Sequence, residues 1–348
     1  MADNNPPPEP PTITTTTTPP PKTTLSSLPP SWHLTDQQHH EIFTTKILPL
    51  EITPFIPSTP PSTPPTAIIL LGQTGSGKTR LAPLLSSALS PSSTSTSQIP
   101  VLVESACRHP SDFSDIAQIF SKAGYTVKVV ILAAPAILSR LGVLMRYHNK
   151  LPESMSRGLP LRLTPKGVHD ESYVGCVHGA KWVDDHPGEV SSVVVVRRSG
   201  LVAYQNDSEA EGGNGKKWKR EPNAEGVLNA QRKRGLMPAE RELAEKDLKA
   251  LEGLVSEGKV EQQTVEELRG LLKELDKSNG DDDEKEKLEQ LDIDAFVKGG
   301  DNTPAQQPQQ EEPEPKQQQQ KSTKEILDEI EFDDDDDINF YNTCSCCR

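Results

Sequence analysis

The sequence predicts an α/β fold in which a mostly parallel β-sheet is flanked by helices, with disordered termini and a helical C-terminal extension. Three observations support this prediction. Between residues 67 and 206, short apolar runs of strand length alternate with amphipathic stretches of helix length. A glycine-rich octapeptide joins the first apolar run to the first amphipathic stretch. The two ends of the chain are rich in proline and threonine, or in acidic residues and glutamine, and such compositions do not form a packed core.

The octapeptide, called the phosphate loop below, is Gly72-Gln73-Thr74-Gly75-Ser76-Gly77-Lys78-Thr79, and it matches the pattern G-x-x-x-x-G-K-[ST] at every fixed position. Glycines allow the backbone to curl so that successive N–H groups point at phosphate oxygens. The lysine of this pattern reaches the β- and γ-phosphates, and the hydroxyl after it ligates Mg²⁺. The sequence therefore predicts a P-loop NTPase-type fold that binds ATP and Mg²⁺.

The flanking segments decide between a nucleotide-binding loop and a chance match to the pattern. Residues 67–71 form a continuous apolar run, which is typical of a buried parallel strand. Residues 79–89 have the composition of a helix and end before a Ser-Pro pair. Since a phosphate loop needs a strand before it and a helix after it, a chance match is the weaker interpretation.

The remaining elements of the core are predicted in alternation. A short helix from Thr35 to about residue 47, opened by a capping box with Gln38, precedes them. Strands are expected at 100–104 and 126–134, helices at 112–123, 136–149 and 164–183, and a β-hairpin at 193–204. Residues 151–163 are predicted to form a mobile loop, with Thr164 as the cap of the next helix. The ligand site is expected at the carboxyl ends of the strands.

Composition and charge exclude several classes of protein. Only 33% of the 348 residues are hydrophobic, and the net charge of −14 is the sum of about +2 for residues 1–206 and about −16 for residues 207–348. An acidic half repels phosphates, which argues against nucleic acid as a partner. The sequence shows no apolar run of membrane-spanning length, no signal peptide and only five cysteines. No membrane association and a cytoplasmic location are therefore predicted.

The composition changes along the chain predict four regions. They are a disordered Pro/Thr-rich segment at 1–33, a core domain at 34–206, a charged helical extension at 207–277 and an acidic low-complexity tail at 278–348. In the extension, leucines at helical spacing predict two helices separated by Ser256-Glu257-Gly258. These helices are interpreted either as a solvated pair that rests on the core or as a coiled coil for a protein partner.

The acidic tail contains two features with open interpretations. Residues 324–332 are amphipathic and resemble a short linear motif, against the alternative of a featureless tail. The cluster of Cys344, Cys346 and Cys347 is either a site of reversible acylation or part of a mobile reduced tail.

Several landmarks follow the phosphate loop in a specific order. The second strand ends with a carboxylate and an arginine, in Val103-Glu104-Ser105-Ala106-Cys107-Arg108. The later landmarks are Ala134-Pro135, Ser139, Leu141-Gly142, Arg146-Tyr147, Arg162-Leu163-Thr164-Pro165-Lys166 and His169-Asp170. This order resembles the zeta toxin family of P-loop kinases over roughly residues 34–206. The resemblance implies a kinase that transfers the γ-phosphate of ATP to a hydroxyl of a sugar nucleotide, which in that family is UDP-N-acetylglucosamine.

The resemblance also implies roles for individual residues. Lys78 is catalytic, Glu104 is the carboxylate on the substrate side of the sheet, and Arg108 binds substrate beside it. Arg146 and Arg162 resemble the two family arginines that reach the nucleotide phosphates. The chemistry agrees, because phosphoryl transfer depends mainly on cations placed around the migrating charge.

Other interpretations of these residues stay open. Arg108 is also able to pair with Glu104 or Asp112, and an arginine in a polar loop is commonly solvated. Cys107 is expected to be a small packed residue. The remaining polar candidates are expected to be surface or core histidines: His109, His148, His169 and His178.

The segment between the phosphate loop and Glu104 departs from the family pattern. Family members carry there a strand ending in an Asp, which accepts the proton of the substrate hydroxyl. No Asp or Glu occurs between Lys78 and Glu104 in this chain. Either an exon was lost from the gene model near residues 97–99, which the intact later landmarks favour, or the chain is a catalytically inactive nucleotide-binding module. Glu104 is the candidate substitute base.

An unrelated P-loop hydrolase is the third interpretation. Such enzymes carry an apolar strand ending in Asp, which holds the Mg²⁺ ion. The corresponding strand at 101–104 ends in Glu instead, which disfavours this class.

Overall fold

The computed structural model describes residues 35–53, 64–89, 100–157, 161–211, 215–277, 288–298 and 339–342. The Pro/Thr-rich segment at 1–33, residues 97–99, the motif at 324–332 and the cysteine cluster near the C-terminus lie outside the described residues. No helix in the described part of the chain is long and apolar enough to cross a membrane.

A mixed β-sheet with a parallel centre organises the fold. Its strands are β1 (Thr66–Leu71), β2 (Val101–Ser105), β3 (Thr126–Ala133), β4 (Ser192–Arg197), β5 (Val202–Glu211), β6 (Gly215–Trp218) and β7 (Asn339–Asn342). Their order across the sheet is β6-β5-β4-β3-β1-β2-β7. Strands β1 to β4 run parallel, whereas β5, β6 and β7 pair antiparallel with their neighbours. The fold is thus the predicted α/β class.

Helices cover both faces of the sheet. They are α1 (Asp36–Ile42), α2 (Lys78–Leu89), α3 (Pro110–Lys122), α4 (Ala136–Arg157), α5 (Lys166–Asp185), α6 (Ala224–Lys233), α7 (Pro238–Ser256), α8 (Gln262–Lys277) and α9 (Ile293–Lys298), with a π-helical segment at Phe43–Ile52. One face packs against α3, α5, α6 and the π-helical segment, and the other packs against α2 and α9.

The apolar run before the phosphate loop is buried on both sides, as predicted. Ala67, Ile69 and Leu71 belong to the core under α3 and α5, whereas Ile68 and Leu70 belong to the core under α2. A strand with period-two side chains needs apolar residues at every position when both faces are covered. This explains why the sequence of β1 is a continuous apolar run and does not alternate between apolar and polar residues.

Most predicted elements are confirmed, and three boundaries were wrong. Helix α4 continues to Arg157 through residues predicted as loop, with an Arg157–Glu153 ion pair of 2.7 Å one turn apart. The N-cap residue of α5 is Pro165 rather than the predicted Thr164. The Thr164 hydroxyl accepts a hydrogen bond from Arg146. The first helix is α-helical only to Ile42 and continues as a π-helix.

The helical extension packs against the core rather than standing apart from it. Leu248 and Leu251 of α7 and Leu268 of α8 share a buried apolar cluster with α4. The carboxylate of Glu267 lies 3.1 Å from Arg140 of α4 and 2.8 Å from Lys166 of α5. The α7–α8 pair therefore rests on the core, and the predicted break at residues 256–258 is confirmed by the gap between the two helices.

One part of the predicted tail is structured. Phe296 and Val297 of α9 are buried in the core under α2, and Leu291 donates from its backbone N to Gly200 O at 3.0 Å. The buried Lys128 ammonium donates to the carbonyl oxygens of Phe296 and Val297, at 2.5 and 3.1 Å. Within the acidic region at 278–348, the few apolar residues of 288–298 therefore dock on the core.

Replacing Leu268 by Ala tests whether the extension and the core unfold together. Leu268 is fully buried in the cluster with α4, so the cavity is expected to lower the free energy of unfolding by about 2–5 kcal/mol. Leu243→Ala on the more exposed face of α7 is the matched control, with an expected effect of about 0.5 kcal/mol or less. Urea unfolding followed by circular dichroism gives both values. An unchanged main transition in Leu268→Ala would show that α8 contributes nothing to the stability of the core.

Candidate phosphate-binding site

The phosphate loop follows β1 and has the conformation that its glycines allow. Gly75 and Gly77 have φ angles of 74° and 103°, which non-glycine residues rarely adopt. A Cβ on Gly75 would lie 2.1 Å from the carbonyl oxygen of Ser139 on α4. Glycine is therefore required at this position both by backbone conformation and by the close approach of α4.

Lys78 and Thr79 open α2 and are both buried. The Lys78 ammonium donates to the carbonyl oxygens of Gly72 and Gln73, at 2.8 and 3.3 Å, so the side chain folds back along the loop. The hydroxyl oxygens of Thr74 and Ser76 are buried without a hydrogen-bond partner among the described residues. Buried hydroxyls beside a lysine at a helix N-terminus suit the oxygens of an anionic ligand, so the residues present fit a phosphate group.

Gln73 connects the loop to the elements around it. Its side-chain nitrogen donates to Ala134 O at 2.7 Å and to the Ser139 hydroxyl at 3.3 Å. Its side-chain oxygen accepts from Arg232 of α6 at 2.8 Å. The Ser139 hydroxyl in turn lies 2.8 Å from Nε2 of His169. The second residue of the loop is thus tied to the turn after β3, to α4 and to α6 through buried hydrogen bonds.

Glu104 lies where the parallel sheet predicts, one strand away from the loop. It is the fourth residue of β2 and pairs in register with Leu70, while Ser105 O accepts from the backbone N of Gly72 at 3.1 Å. Its side chain is only 4% exposed. The structure therefore places a buried carboxylate residue and the phosphate loop at the ends of neighbouring strands.

Arg108 has a partner that the sequence did not indicate. Its guanidinium lies 2.5 Å from the carboxylate of Glu171 on α5. Neither of the partners considered from the sequence, Glu104 and Asp112, takes part in this ion pair. Asp112 instead lies 3.2 Å from Nδ1 of His39. The acid that pairs with Arg108 comes from α5, about sixty residues further along the chain, so the local sequence does not reveal this pair.

Arg146 and Arg162 are brought to adjoining elements. Arg146 lies on α4 and donates to the Thr164 hydroxyl at 3.4 Å, two residues after Arg162. Arg146 is half-buried and Arg162 is exposed, in the segment leading into α5. Arg146 is therefore a cation held on a helix, and Arg162 is a cation on a segment that faces solvent.

Two arginines near the loop were missed by the sequence reasoning. Arg198 follows β4, and a Cβ on Gly77 would meet its side chain at 3.5 Å, while its Nη1 donates to Leu138 O at 3.0 Å. Arg232 is 3% exposed and reaches the loop from α6. The Arg197-Arg198 pair at a strand end was a usable signal. Arg232 has no motif around it, so only the tertiary fold reveals it.

Cys107 and His169 are core residues, as expected. Cys107 is 3% exposed and has a φ of 51°, in the turn between β2 and α3, where Gly175 of α5 packs on its carbonyl oxygen. His169 is also 3% exposed. In the described ranges, no group of three or more His, Cys, Asp or Glu side chains is arranged to hold a metal ion.

One of the comparisons with known proteins supports part of the resemblance. A family model described as Zeta toxin matches residues 92–209, a region that contains Glu104, Arg146 and Arg162 and begins after the phosphate loop. Among curated proteins, none matches the chain. A solved chain from a study of the PezAT chromosomal toxin-antitoxin system of Streptococcus pneumoniae is 17% identical, with a TM-score of 0.41. That similarity covers 64% of this chain and 98% of the other.

Replacing His169 by Gln tests the buried end of the Gln73–Ser139–His169 chain. Burial lowers the pKa of His169, against a smaller opposite effect of Asp170. As the pH falls below the ordinary histidine value of about 6.5, the unfolded state therefore binds the proton first and stability is lost. The stability advantage of the unaltered chain over His169→Gln is expected to shrink between about pH 7.5 and about pH 5.5 in urea unfolding. If the difference in free energy of unfolding between the two chains stayed constant over this pH range, a lowered pKa of His169 in the folded state would be contradicted.

Proposed function

We propose that this chain is a kinase of zeta toxin type, which binds ATP with Mg²⁺ and transfers the γ-phosphate to a hydroxyl of a sugar nucleotide such as UDP-N-acetylglucosamine. The observation that carries the proposal is the strand–loop–helix geometry of residues 66–89, with left-handed glycines at positions 75 and 77. The family match over residues 92–209 supports the kinase class.

The phosphate loop would hold the triphosphate. Its backbone N–H groups and the N-terminus of α2 favour anions, and Lys78 supplies a positive charge for the β- and γ-phosphates. The Thr79 hydroxyl is the protein ligand for Mg²⁺, which neutralises charge on the phosphate oxygens. Thr74 and Ser76 offer buried hydroxyls on the same loop.

The arginines supply the remaining positive charge. Arg146 on α4 donates to the Thr164 hydroxyl, two residues after Arg162, so the hydrogen bond ties α4 to the segment that carries Arg162. A cation that approaches the γ-phosphate only in the transition state accelerates transfer more than one that binds ATP in the ground state. The exposed Arg162 suits that role, and the half-buried Arg146 suits a fixed one.

Glu104 is the proposed acceptor-side carboxylate. Phosphoryl transfer has a loose transition state, so the residue that orients the hydroxyl contributes through position as much as through basicity. Glu104 lies at the carboxyl end of β2, next to the loop, and no other Asp or Glu lies between Lys78 and residue 104. Arg108, held by Glu171, lies four residues later and would contact the anionic part of the acceptor.

A catalytically inactive nucleotide-binding module is the second candidate function. The observation that favours it is the absence of any Asp or Glu from residue 79 to residue 103, where the family carries its acceptor-activating Asp. Such a module would bind ATP through the same loop and transfer no phosphate. Its α7–α8 extension would then be the part that contacts other proteins.

Replacing Lys78 by Ala tests the binding half of the proposal. Loss of a charged donor to phosphate oxygens is expected to weaken Mg-ATP binding by about 10–100-fold in isothermal titration calorimetry. Lys181→Ala, which removes an exposed lysine on α5, is the matched control and should bind as the unaltered chain does. Equal affinities in the two variants would refute nucleotide binding at this loop.

Replacing Glu104 by Gln tests the transfer half. Incubation with Mg-ATP and UDP-N-acetylglucosamine, followed by ³¹P NMR, should give a new phosphomonoester signal with the unaltered chain. If Glu104 activates the acceptor, the rate should fall by about 100-fold or more in Glu104→Gln, while ATP affinity changes less than about twofold. Intact ATP binding without product in the unaltered chain would favour the inactive module, and sequencing the transcript across residues 97–99 would test for a lost exon.

A further inference from the structure

Arg232 is a buried cation in contact with the phosphate loop. It lies on α6, is 3% exposed, and donates from Nη1 to Tyr173 O at 2.6 Å and from Nη2 to the Gln73 side chain at 2.8 Å. Its guanidinium stacks on the Tyr173 ring at 3.9 Å from the ring centroid. Arg232 lies beyond both the family match, which ends at residue 209, and the predicted core domain, which ends at 206.

No carboxylate pairs with Arg232 in the described part of the chain. It bonds to a carbonyl oxygen and an amide oxygen, and it also lies near the buried thiol of Cys176 and lowers the pKa of that group. A buried charge without a carboxylate counter-ion is costly to fold, and a hydrophobic residue of similar size would commonly serve packing as well. The contrast with Arg234 is direct, because that buried arginine forms two hydrogen bonds of 2.8 Å to the carboxylate of Glu240. Packing alone therefore does not account for Arg232.

The contact made by Arg232 falls on the residue that shapes the loop. Gln73 is fully buried, and its carbonyl oxygen accepts from the backbone N of Ser76 at 3.0 Å and from Lys78 at 3.3 Å. The side chain of Gln73 is fixed at its oxygen by Arg232 and at its nitrogen by Ala134 O. The orientation of the Gln73 peptide group, and with it the direction of the neighbouring N–H groups, is thus set from two sides.

We infer that Arg232 is a positioning residue for the phosphate loop. It acts through Gln73, holding the loop in the curled form that receives the β- and γ-phosphates, and its positive charge behind the loop favours anionic ligands. This inference rests on the proposed function, since it concerns the affinity of that site for nucleoside triphosphates. It assigns to α6, outside the matched family region, a part in the nucleotide site.

A double-mutant cycle on Gln73 and Arg232 tests the inference. Calorimetry measures the affinities of Mg-ATP and AMP for the unaltered chain, Gln73→Ala, Arg232→Met and the double variant. Each single variant is expected to weaken Mg-ATP binding by about tenfold or more, with little change for AMP, which lacks the β- and γ-phosphates. In the Gln73→Ala background, Arg232→Met should cause little further loss, because its effect passes through Gln73.

Two further variants separate positioning from loss of folding. Arg234→Met removes the neighbouring buried arginine with its ion pair, so it should lower the melting temperature and leave the ATP affinity unchanged. Arg232→Lys keeps the charge and a donor, so its ATP affinity should lie between those of the unaltered chain and Arg232→Met. Gln73→Ala provides a test from the loop side even where Arg232→Met fails to fold.

The outcomes distinguish this inference from the proposed function. If the unaltered chain binds no Mg-ATP, the proposed function fails and the inference fails with it. If the unaltered chain binds Mg-ATP, Lys78→Ala does not, and Gln73→Ala binds as tightly as the unaltered chain, only the inference is overturned. Fully additive losses in the double variant would also overturn it, because Arg232 would then act independently of Gln73.

Discussion

The contact between the phosphate loop and helix α4 is the constraint on which the site depends. The Ser139 carbonyl lies so close to Gly75 that no side chain fits between them, and the Ser139 hydroxyl also binds Gln73. The loop therefore keeps its curled form only while α4 stays where the turn after β3 puts it. Since interiors are close-packed and do not deform continuously, any displacement of α4 would reach the loop directly.

Helix α4 also explains why the helical extension belongs to the core. One side of α4 faces the loop through Ser139, and Leu141 and Leu144 pack against α7 and α8. Glu267 of α8 ties Arg140 of α4 to Lys166 at the start of α5. The extension thus supports the same helix that shapes the loop, and the boundary predicted at residue 206 from the sequence separates elements that pack together.

The sequence predicted local features well and long-range partners poorly, for one physical reason. Strand β1, the loop and α2 follow from periodicity and glycine chemistry within about 25 residues, and such signals are contained in the local sequence. The Arg108–Glu171 and Arg232–Gln73 contacts join residues 63 and 159 positions apart. No local pattern encodes such pairs, because they form only when α5 and α6 dock on the sheet.

The positively charged residues around the phosphate loop affect which ligands the site is able to bind. Lys78, Arg198 and Arg232 all contact or adjoin the loop, so the fold concentrates positive charge at the carboxyl end of β1. The neighbouring strand, β2, carries the carboxylate of Glu104. A surplus of cations suits binding of a triphosphate and stabilisation of its transfer, whereas, under the proposed function, activation of the acceptor would depend on that carboxylate. Under that proposal, many groups would support nucleotide binding and few would support catalysis, so loss of catalysis would leave the fold and the phosphate loop largely intact.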